Sequence, residues 1–472
     1  MDINFVNNSR MRRITNVHFV GIGGVGMAGI AEVMLSLGYS VSGSDLTKNS
    51  LTERLTSLGA EITYSHIASN VYSKDVLVIS SAVPEANIEV ITAKAMRIPV
   101  IPRGQMLFEL MRFKQGIAVA GTHGKTTTTS ILSTIFAQAG LDPTFVVGGK
   151  LNNFGFNAKL GQSDYFIAEA DESDASFLHL TPSMIIVTNI DGDHLENYSD
   201  NIDSQLQAFI EFIHNMPFYG LCVLCKDDPN IQKILPKISR PFLSYGFHLD
   251  ADYRIINYEV KDSKTKFTLL SPQAKEYYFE LNLIGKHNIL NAVATIILAQ
   301  DVGVSMNIIA KALKEFKGVG RRLQRLGIAE FAGKDVTLLD DYGHHPTELR
   351  CVIDALRENY PGQNLIMIFQ PHRYTRTEAL FEEFTEVLSK PDNIILLDVY
   401  SAGEKPIKGA DTKSLCRNIR KHGVEPIYVK DTSELATILG SIAVGGDIVI
   451  TQGAGSVGKI SHMLASIAVL EY

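Results

Sequence analysis

The stretch Val119-Ala-Gly-Thr-His-Gly-Lys-Thr-Thr-Thr-Thr129 decides how this chain reads. It follows the apolar run Gly116-Ile-Ala-Val-Ala120 and precedes a helical pattern over residues 130–139. Strand, glycine loop, Lys-Thr and helix is the order that cradles nucleoside triphosphates. Glycines let backbone N–H groups approach the oxygens, and the helix N-terminus favours negative charge. Gly121, Thr122, His123, Gly124, Lys125, Thr126 and Thr127 are the candidate ATP cradle. Lys125 can reach the β- and γ-phosphates, and the Thr126 hydroxyl can hold Mg²⁺. The loop is shorter than the usual pattern, because Val119 stands where a glycine five residues before Gly124 is wanted.

A second glycine loop lies near the start: Val17-His-Phe-Val-Gly-Ile-Gly-Gly-Val-Gly-Met27. Gly21, Gly23 and Gly26 make GxGxxG directly after an apolar run, with Gly24 between them. A second strand follows at residues 39–41 and ends in Gly43-Ser44-Asp45, where a ribose-binding acid would sit. Three readings fit these residues: a dinucleotide site for NAD or FAD, a site for another pyrophosphate ligand such as a nucleotide sugar, or a tight strand–helix turn. Two separate phosphate loops suggest two nucleotides, one per domain.

At 472 residues the chain has room for about three domains. A hydrophobic content of 45% supports large cores, and a net charge of −7 argues against a general nucleic-acid or anionic-membrane binder. No apolar run approaches the roughly 18 residues of a membrane span. Met11-Arg-Arg13 and the apolar stretch after it imitate a secretory signal, but the glycine spacing and the β–α pattern speak against one. Cys222-Val-Leu-Cys225 matches CxxC inside an apolar strand, Cys351 and Cys416 stand apart, and no second CxxC completes a metal site. Buried thiols in a reducing cytoplasm are the expectation.

Apolar runs at 17–20, 39–41, 76–80 and 99–101 alternate with helical stretches, a doubly wound α/β rhythm. The rhythm continues from about 113, where runs at 165–168 and 184–188 empty into Glu169-Ala-Asp-Glu-Ser-Asp174 and Asn189-Ile-Asp-Gly-Asp-His194. Residues 253–260, 266–270 and 277–283 alternate as a small antiparallel side sheet would. From about 317 four runs, at 336–339, 365–369, 394–397 and 448–450, each end in a polar loop. Ligands of open α/β sheets bind outside the carboxyl ends of the strands. The expected fold class is therefore α/β in three domains: an N-terminal Rossmann-like domain over 1–112, a central P-loop ATP-binding domain over 113–316, and a C-terminal Rossmann-like domain over 317–472.

GIGGVGM, GTHGKTTTT, EADESDASF, TNIDGDH, GKHNILNA, GVGRR, DDYGHHPTE, QPHRYTR and TQGAGSVGK occur in that order over nearly the whole chain. Together they resemble the Mur ligases of bacterial cell-wall synthesis, and three of them look most like the members that join L-alanine to UDP-N-acetylmuramate. The resemblance implies an ADP-forming ligase that binds UDP-N-acetylmuramate, ATP with Mg²⁺, and L-alanine, with no nucleic-acid or membrane partner. It implies a UDP-sugar site at Gly21, Gly23, Gly24, Gly26, Ser44, Asp45, His66, Ser80 and Ser81. Thr126, Glu169 and His194 would hold metal, and Asn288 and Asn291 would face adenine. Lys125, His194, Arg322, Asp341, His344 and Arg376 would serve the reaction, with Arg322 and Asp341 also against ATP. His372, Arg373 and Arg376 would supply cations for phosphate and for the alanine carboxylate.

Each residue also has a plainer reading. Glu169 could be one solvated acid of an acidic run, His194 a capping histidine, Asn288 and Asn291 packing residues, and Arg321 and Arg322 a basic turn after the joint at 318–320. Asp341, His344 and His345 could form a Zn site, although no third nearby His or Cys supports it. Residues 149–157, where the family contacts the muramyl group, look less typical. Some Mur ligases carry a carbamoylated lysine after the metal histidine, yet no lysine stands between His194 and Lys226. An NAD-dependent oxidoreductase fused to a P-loop domain is the competing class. It leaves His194, DDYGHHP and QPHRYTR unexplained.

Overall fold

The computed structural model describes residues 11, 13–80, 82–153, 155–173, 175–199 and 201–468. Its first sheet holds β1 (Asn16–Val20), β2 (Ser40–Ser44), β3 (Glu61–Thr63), β4 (Val76–Ile79) and β5 (Val100–Pro102), in the order β3-β2-β1-β4-β5. Every pairing is parallel. Four of the five residues of β1 and of β2 are buried, as expected of strands covered on both faces. The strand order reverses at β1, so the topological switch point, where open α/β sheets generally bind ligands, lies between β1 and β4. The glycine loop leaves β1 there.

The second sheet has ten strands: β6 (Gln115–Ala120), β7 (Thr144–Val146), β8 (Ala158–Lys159), β9 (Tyr165–Glu169), β10 (Met184–Val187), β11 (Leu221–Cys225), β12 (Phe242–Gly246), β13 (Tyr253–Lys261), β14 (Lys264–Leu270) and β15 (Glu276–Leu281). Their order is β15-β14-β13-β12-β11-β10-β6-β9-β7-β8. The expected side sheet is therefore not separate. β13 joins β12 in parallel through Tyr245↔Tyr253 and Gly246↔Arg254, and the three strands extend the main sheet. Asp262 and Ser263 link β13 to β14 with φ of 52° and 59°, the two-residue turn that matches strand twist. Cys222 and Cys225 are buried in β11, and burial pushes both thiols up, Cys225 to about 12.

The third sheet holds β16 (Gln324–Phe331), β17 (Lys334–Asp341), β18 (Leu365–Phe369), β19 (Asn393–Leu397), β20 (Ile427–Val429) and β21 (Ile448–Gln452), in the order β16-β17-β21-β18-β19-β20. All four late apolar runs are strands here, and β16 and β20 join them without an apolar run of that kind. β16 pairs antiparallel with β17; the others run parallel.

Three sheets, each with its helices, make a three-domain α/β architecture. The residues pack into two compact units. One comprises 1–258, 266–281 and 290–317 and holds the first two sheets except the tip of the β13–β14 hairpin; the other comprises 259–265, 282–289 and 318–472. The last boundary falls beside Gly318, whose φ is +75°. Among the described residues no helix is long and apolar enough to cross a membrane.

Candidate active site

In the first unit the N-terminal loop is built around a carboxylate. Asp45 accepts the Gly23 amide at 2.8 Å, and a Cβ on Gly23 would stand 2.7 Å from the same oxygen, so only glycine fits. The Ser44 carbonyl accepts the amides of Gly21 and Ile22. Ser80 lies against Gly21, and Gly26 against Arg103. Ser81 falls outside the described residues. Gly24 starts the helix Val25–Ser36 without a side-chain cap, whereas Asn49 caps the helix Ser50–Ser57 with a full capping box. First-turn amides lacking a cap are the donors an anion uses.

His66 and Ser44 belong to a polar cluster under this loop. The Ser44 hydroxyl donates to Glu89 at 2.6 Å and lies 3.0 Å from His66 Nδ1. Asn70 also donates to Glu89, which is fully buried. Burial alone would raise that carboxyl, but His18, Ser44, Asn70 and His66 around it hold it at about 2.

The P-loop helix Lys125–Gln138 likewise starts without a side-chain cap, from Gly124 at φ +83°. Asn291 packs on Gly124, where a Cβ would stand 2.5 Å from its amide oxygen. Asn288 donates to the Ile284 carbonyl at 2.8 Å, and both asparagines are buried near the start of the helix Lys286–Asp301. The loop is shaped by the turn after β10. Asn189 accepts the Thr122 amide through its carbonyl and the His123 amide through its side chain, Thr122 Oγ1 accepts the Asp191 amide, and His123 Nε2 lies 3.0 Å from Asp191. Thr127 is buried in the helix's first turn.

Strands β9, β6 and β10 are neighbours in that order, so their carboxyl ends place the acidic run, the P-loop and the Asn189–His194 turn side by side. The structure sorts the run by partner. Glu169 accepts the Thr126 hydroxyl at 3.2 Å and the Gly148 amide at 2.6 Å. Asp171 pairs with Arg103 at 2.8 Å, and Glu172 with Lys125 at 2.7 Å. Lys125 also donates to the Gly121 carbonyl at 2.7 Å. Burial lowers its ammonium pKa, but Glu172, Asp171 and Glu169 raise it overall, so the cation persists. His194 stands at φ 60° at the head of a short 3₁₀ turn, its Nε2 3.5 Å from Asp193. Thr126 and Glu169 form an oxygen pair of the kind Mg²⁺ prefers, and the uncapped Gly124 helix start suits a triphosphate.

In the 149–157 stretch, Asn153 ties to Glu315 and Lys317, Asn152 to the Lys317 carbonyl, and Asn157 donates to the Val25 carbonyl beside the first glycine loop. Glu172 and Arg103, which pair with Lys125 and Asp171, carry no signal of that role in the sequence. EADES does not reveal which acid meets which cation, since that choice is made by strand-end geometry.

The second unit gathers its polar residues at the carboxyl ends of β17, β18 and β21. The paired arginines share one ring and differ in their other partners. Both guanidiniums lie over Tyr342 at 5.1 Å, but Arg321 also pairs with Asp340 at 3.0 Å and donates to the Gly453 carbonyl at 2.6 Å, whereas Arg322 stands 3.9 Å from Glu348. Asp341 accepts the Leu323 and Gly343 amides at 2.7 Å and the Gln452 side chain at 3.0 Å; burial raises its pKa, with Arg322 opposing. Its oxygens shape the turn. His345 caps the helix Pro346–Asn359 in a capping box with Glu348. The His344 ring stands 5.7 Å from that of His372, which stacks on Tyr400.

Arg376 is buried, with a guanidinium nitrogen 3.4 Å from His372 Nδ1, and Arg373 lies 4.0 Å from Glu404. His372 departs from the expected trio of cations. Burial, then Arg376 and Arg373, push its pKa down to about 4, so it is a neutral ring at pH 7 and the positive charge belongs to the arginines. The Gly453–Gly455 loop also differs from the phosphate loops, because Gln370 already accepts the Val457 amide at the following helix.

Parallel sheets, two uncapped glycine loops and a Lys–Thr–Glu constellation define a nucleotide-dependent α/β enzyme. Residues 16–115 match the Mur ligase family, catalytic domain; 119–299 match the Mur ligase middle domain; 321–455 match the Mur ligase, glutamate ligase domain. The UDP-N-acetylmuramate–alanine ligase MurC of Thermotoga maritima is 28% identical over 96% of this chain and 98% of its own, with a TM-score of 0.81. A UDP-N-acetylmuramate:L-alanyl-γ-D-glutamyl-meso-diaminopimelate ligase of Neisseria meningitides is also 28% identical, covering 65% of this chain and 100% of its own at a TM-score of 0.60. MurF of Thermotoga maritima, solved with ADP, shares the fold at 16% identity and a TM-score of 0.63, over 85% of this chain and 96% of its own. The chain belongs to the Mur ligase family: an ATP-dependent, ADP-forming ligase of peptidoglycan precursor synthesis that uses a UDP-sugar substrate.

Proposed function

We propose that this enzyme joins L-alanine to the lactyl carboxylate of UDP-N-acetylmuramate, in the cytoplasm, with ADP and phosphate as the other products. The observation that carries the reading is the whole-length likeness to an alanine-adding ligase, 28% identity over 96% of the chain. A carboxylate must first gain a leaving group. Its oxygen attacks the γ-phosphorus of ATP, ADP departs, and an acyl phosphate results. The alanine amine then attacks the acyl carbon, loses a proton and expels phosphate.

Such transfer needs charge neutralisation more than covalent help. Lys125 would neutralise the β/γ-oxygens, and the amides at Gly124 and the helix start would hold them. Thr126, Glu169 and His194 would hold Mg²⁺, which supplies Lewis-acid stabilisation at those oxygens. Asn291 beside Gly124, with Asn288, would meet the adenine. Arg322, on Tyr342, would meet phosphate. Arg373 and Arg376 would take the alanine carboxylate, with neutral His372 and His344 lining the pocket and Asp341 fixing the turn. The loop at Gly21–Gly26, with Ser44, Asp45, His66, Ser80 and Ser81, would hold the UDP moiety. These roles divide the chain at 1–112, 113–316 and 317–472.

The likeness to the Neisseria enzyme supports a second reading, in which a tripeptide rather than alanine is added. Phosphate release from ATP separates them. UDP-N-acetylmuramate with L-alanine should give ADP and phosphate, and omission of either should abolish turnover. Turnover with L-alanyl-γ-D-glutamyl-meso-diaminopimelate in place of alanine favours the second reading. Formation of AMP and pyrophosphate overturns both.

A further inference from the structure

We propose that Glu172 is a positioning residue for the P-loop lysine: it holds the Lys125 ammonium at one point under the loop and competes with the nucleotide for it, so that the cation is not drawn into gripping ATP before phosphoryl transfer. The proposal rests on the reading in which Lys125 serves the β- and γ-phosphates. Glu172 stands three residues past Glu169, the last residue of β9, and its side chain is 2% exposed. Both of its oxygens accept from Lys125 Nζ, at 2.8 and 2.7 Å. Burial raises the carboxyl's pKa, with Lys125 opposing, and two oxygens on one ammonium make the contact of an ion pair. An ammonium has three protons. The third goes to the P-loop itself, where the Gly121 carbonyl accepts at 2.7 Å and the Thr122 carbonyl stands at 3.3 Å. A phosphate oxygen therefore reaches Lys125 by displacing one of these acceptors, and the neutral carbonyls yield before a buried carboxylate does.

The anchor is itself held. The Glu172 carbonyl accepts the Tyr198 hydroxyl at 2.5 Å and the Ala175 amide at 3.0 Å. Tyr198 closes the 3₁₀ turn that His194 heads, and Asn197 of the same turn donates to the Ser173 carbonyl at 2.6 Å. The residue that fixes the lysine and the turn that carries His194 are thus one hydrogen-bonded body. The neighbouring acids are engaged elsewhere: Glu169 by Thr126 and Gly148, and Asp171 by Arg103. Glu172 leaves Lys125 preorganised, which favours the transition state, while cancelling part of its field on a ground-state triphosphate. Binding that is equally strong in the ground state and the transition state adds nothing to kcat.

Calorimetry with ATP and Mg²⁺, without sugar nucleotide or amino acid, tests this beside kcat of the complete reaction. Glu172→Gln should bind ATP about tenfold more tightly, the scale of one close charge pair, while kcat falls about tenfold. A structural role would weaken nucleotide binding together with kcat, and that result overturns the proposal, as does an unchanged affinity. In a Lys125→Ala background the same Glu172→Gln change should move ATP affinity by less than about twofold, because the carboxylate acts through the lysine. Tightening that persists there means that Glu172 acts on the phosphates directly, and also overturns the proposal. Glu172→Asp keeps the charge and draws it back by one methylene, which guards against a variant that fails to fold. It should bind ATP as the parent does and still lose rate; an undiminished kcat counts against the positioning role. If Lys125→Ala alone binds ATP as tightly as the parent, the P-loop reading is what falls.

Discussion

Around the loop before Lys125–Gln138 the charges are permanent: Lys125 against Glu172, Arg103 against Asp171, and Glu169 beside a hydroxyl. Around the loop before Val25–Ser36 the carboxylates of Asp45 and Glu89 are answered by a backbone amide, a hydroxyl, a side-chain amide and imidazoles. Both loops leave a helix start uncapped after a buried parallel strand. The same backbone device is thus tuned by what surrounds it. A triphosphate with a divalent cation carries dense charge that reorganises during transfer, which calls for a fixed ammonium and hard oxygen ligands. A diphosphate that is only held needs hydrogen bonds and a modest positive field.

The contrast breaks most visibly at Lys125. Lys125→Ala should lower kcat by about 10²–10³, the scale for losing one electrostatic transition-state contact. Calorimetric binding of UDP-N-acetylmuramate should stay unchanged. A rate within twofold of the parent would remove the P-loop from the mechanism. Glu169→Gln and His194→Ala should raise the Mg²⁺ concentration for half-maximal rate by about 10–100-fold, read by metal titration at saturating ATP.

At the other loop, Asp45→Ala should weaken UDP-sugar binding by about tenfold or more, since a charged group holding the Gly23 amide is lost. The KM for ATP should not move. Equal damage to both ligands would mean that the loops are not independent.

Acid should also treat the two units differently. In the first, Glu89 and Asp171 sit at about 2, below their ordinary values. Their contribution is complete above about pH 4.5 and is lost as pH falls through 2. In the second, burial holds His287 and His372 at about 4 instead of the ordinary 6.5. Unfolding lets them take protons, so their contribution is full above pH 6.5 and falls as pH drops towards 4, by up to about 1.4 kcal/mol per unit for each ring. Calorimetric melting between pH 7 and 5 should weaken the second unit's transition through these rings, and His372→Gln should flatten that slope. The smallest effect expected is none: bicarbonate added to degassed buffer should leave turnover unaltered, as the span after His194 lacks a lysine.

What the sequence disclosed follows from how local each signal is. The glycine loops, the strands ending at Glu169 and His194, and the four late apolar runs are local patterns. The fusion of β13–β15 onto the main sheet was illegible because it depends on two residue pairs made by β12. GVGRR cannot say that Arg321 is held by Asp340 and the Gly453 carbonyl while Arg322 stands beside Glu348. Glu89, inside the unremarkable Asn87-Ile-Glu-Val90, looks like any surface acid until its helix brings it beneath the glycine loop. The neutrality of His372 is likewise a product of burial, which QPHRYTR does not encode.

The boundary between the two units cuts the backbone at 258/259, 265/266, 281/282, 289/290 and 317/318. Ile284 and Val260 belong to the second unit's apolar cluster, beside Leu349, Val352 and Leu356. Recombination between relatives at the joint beside Gly318 would therefore transplant a body without two of its own pieces, which the other parent would supply. The scale of a mismatch is set by Ile284→Ala, which would cost about 2–5 kcal/mol. Exchange of this unit as a cassette would keep the host's own 259–265 and 282–289 pieces, so the incoming core has to fit the host's residues at 260 and 284.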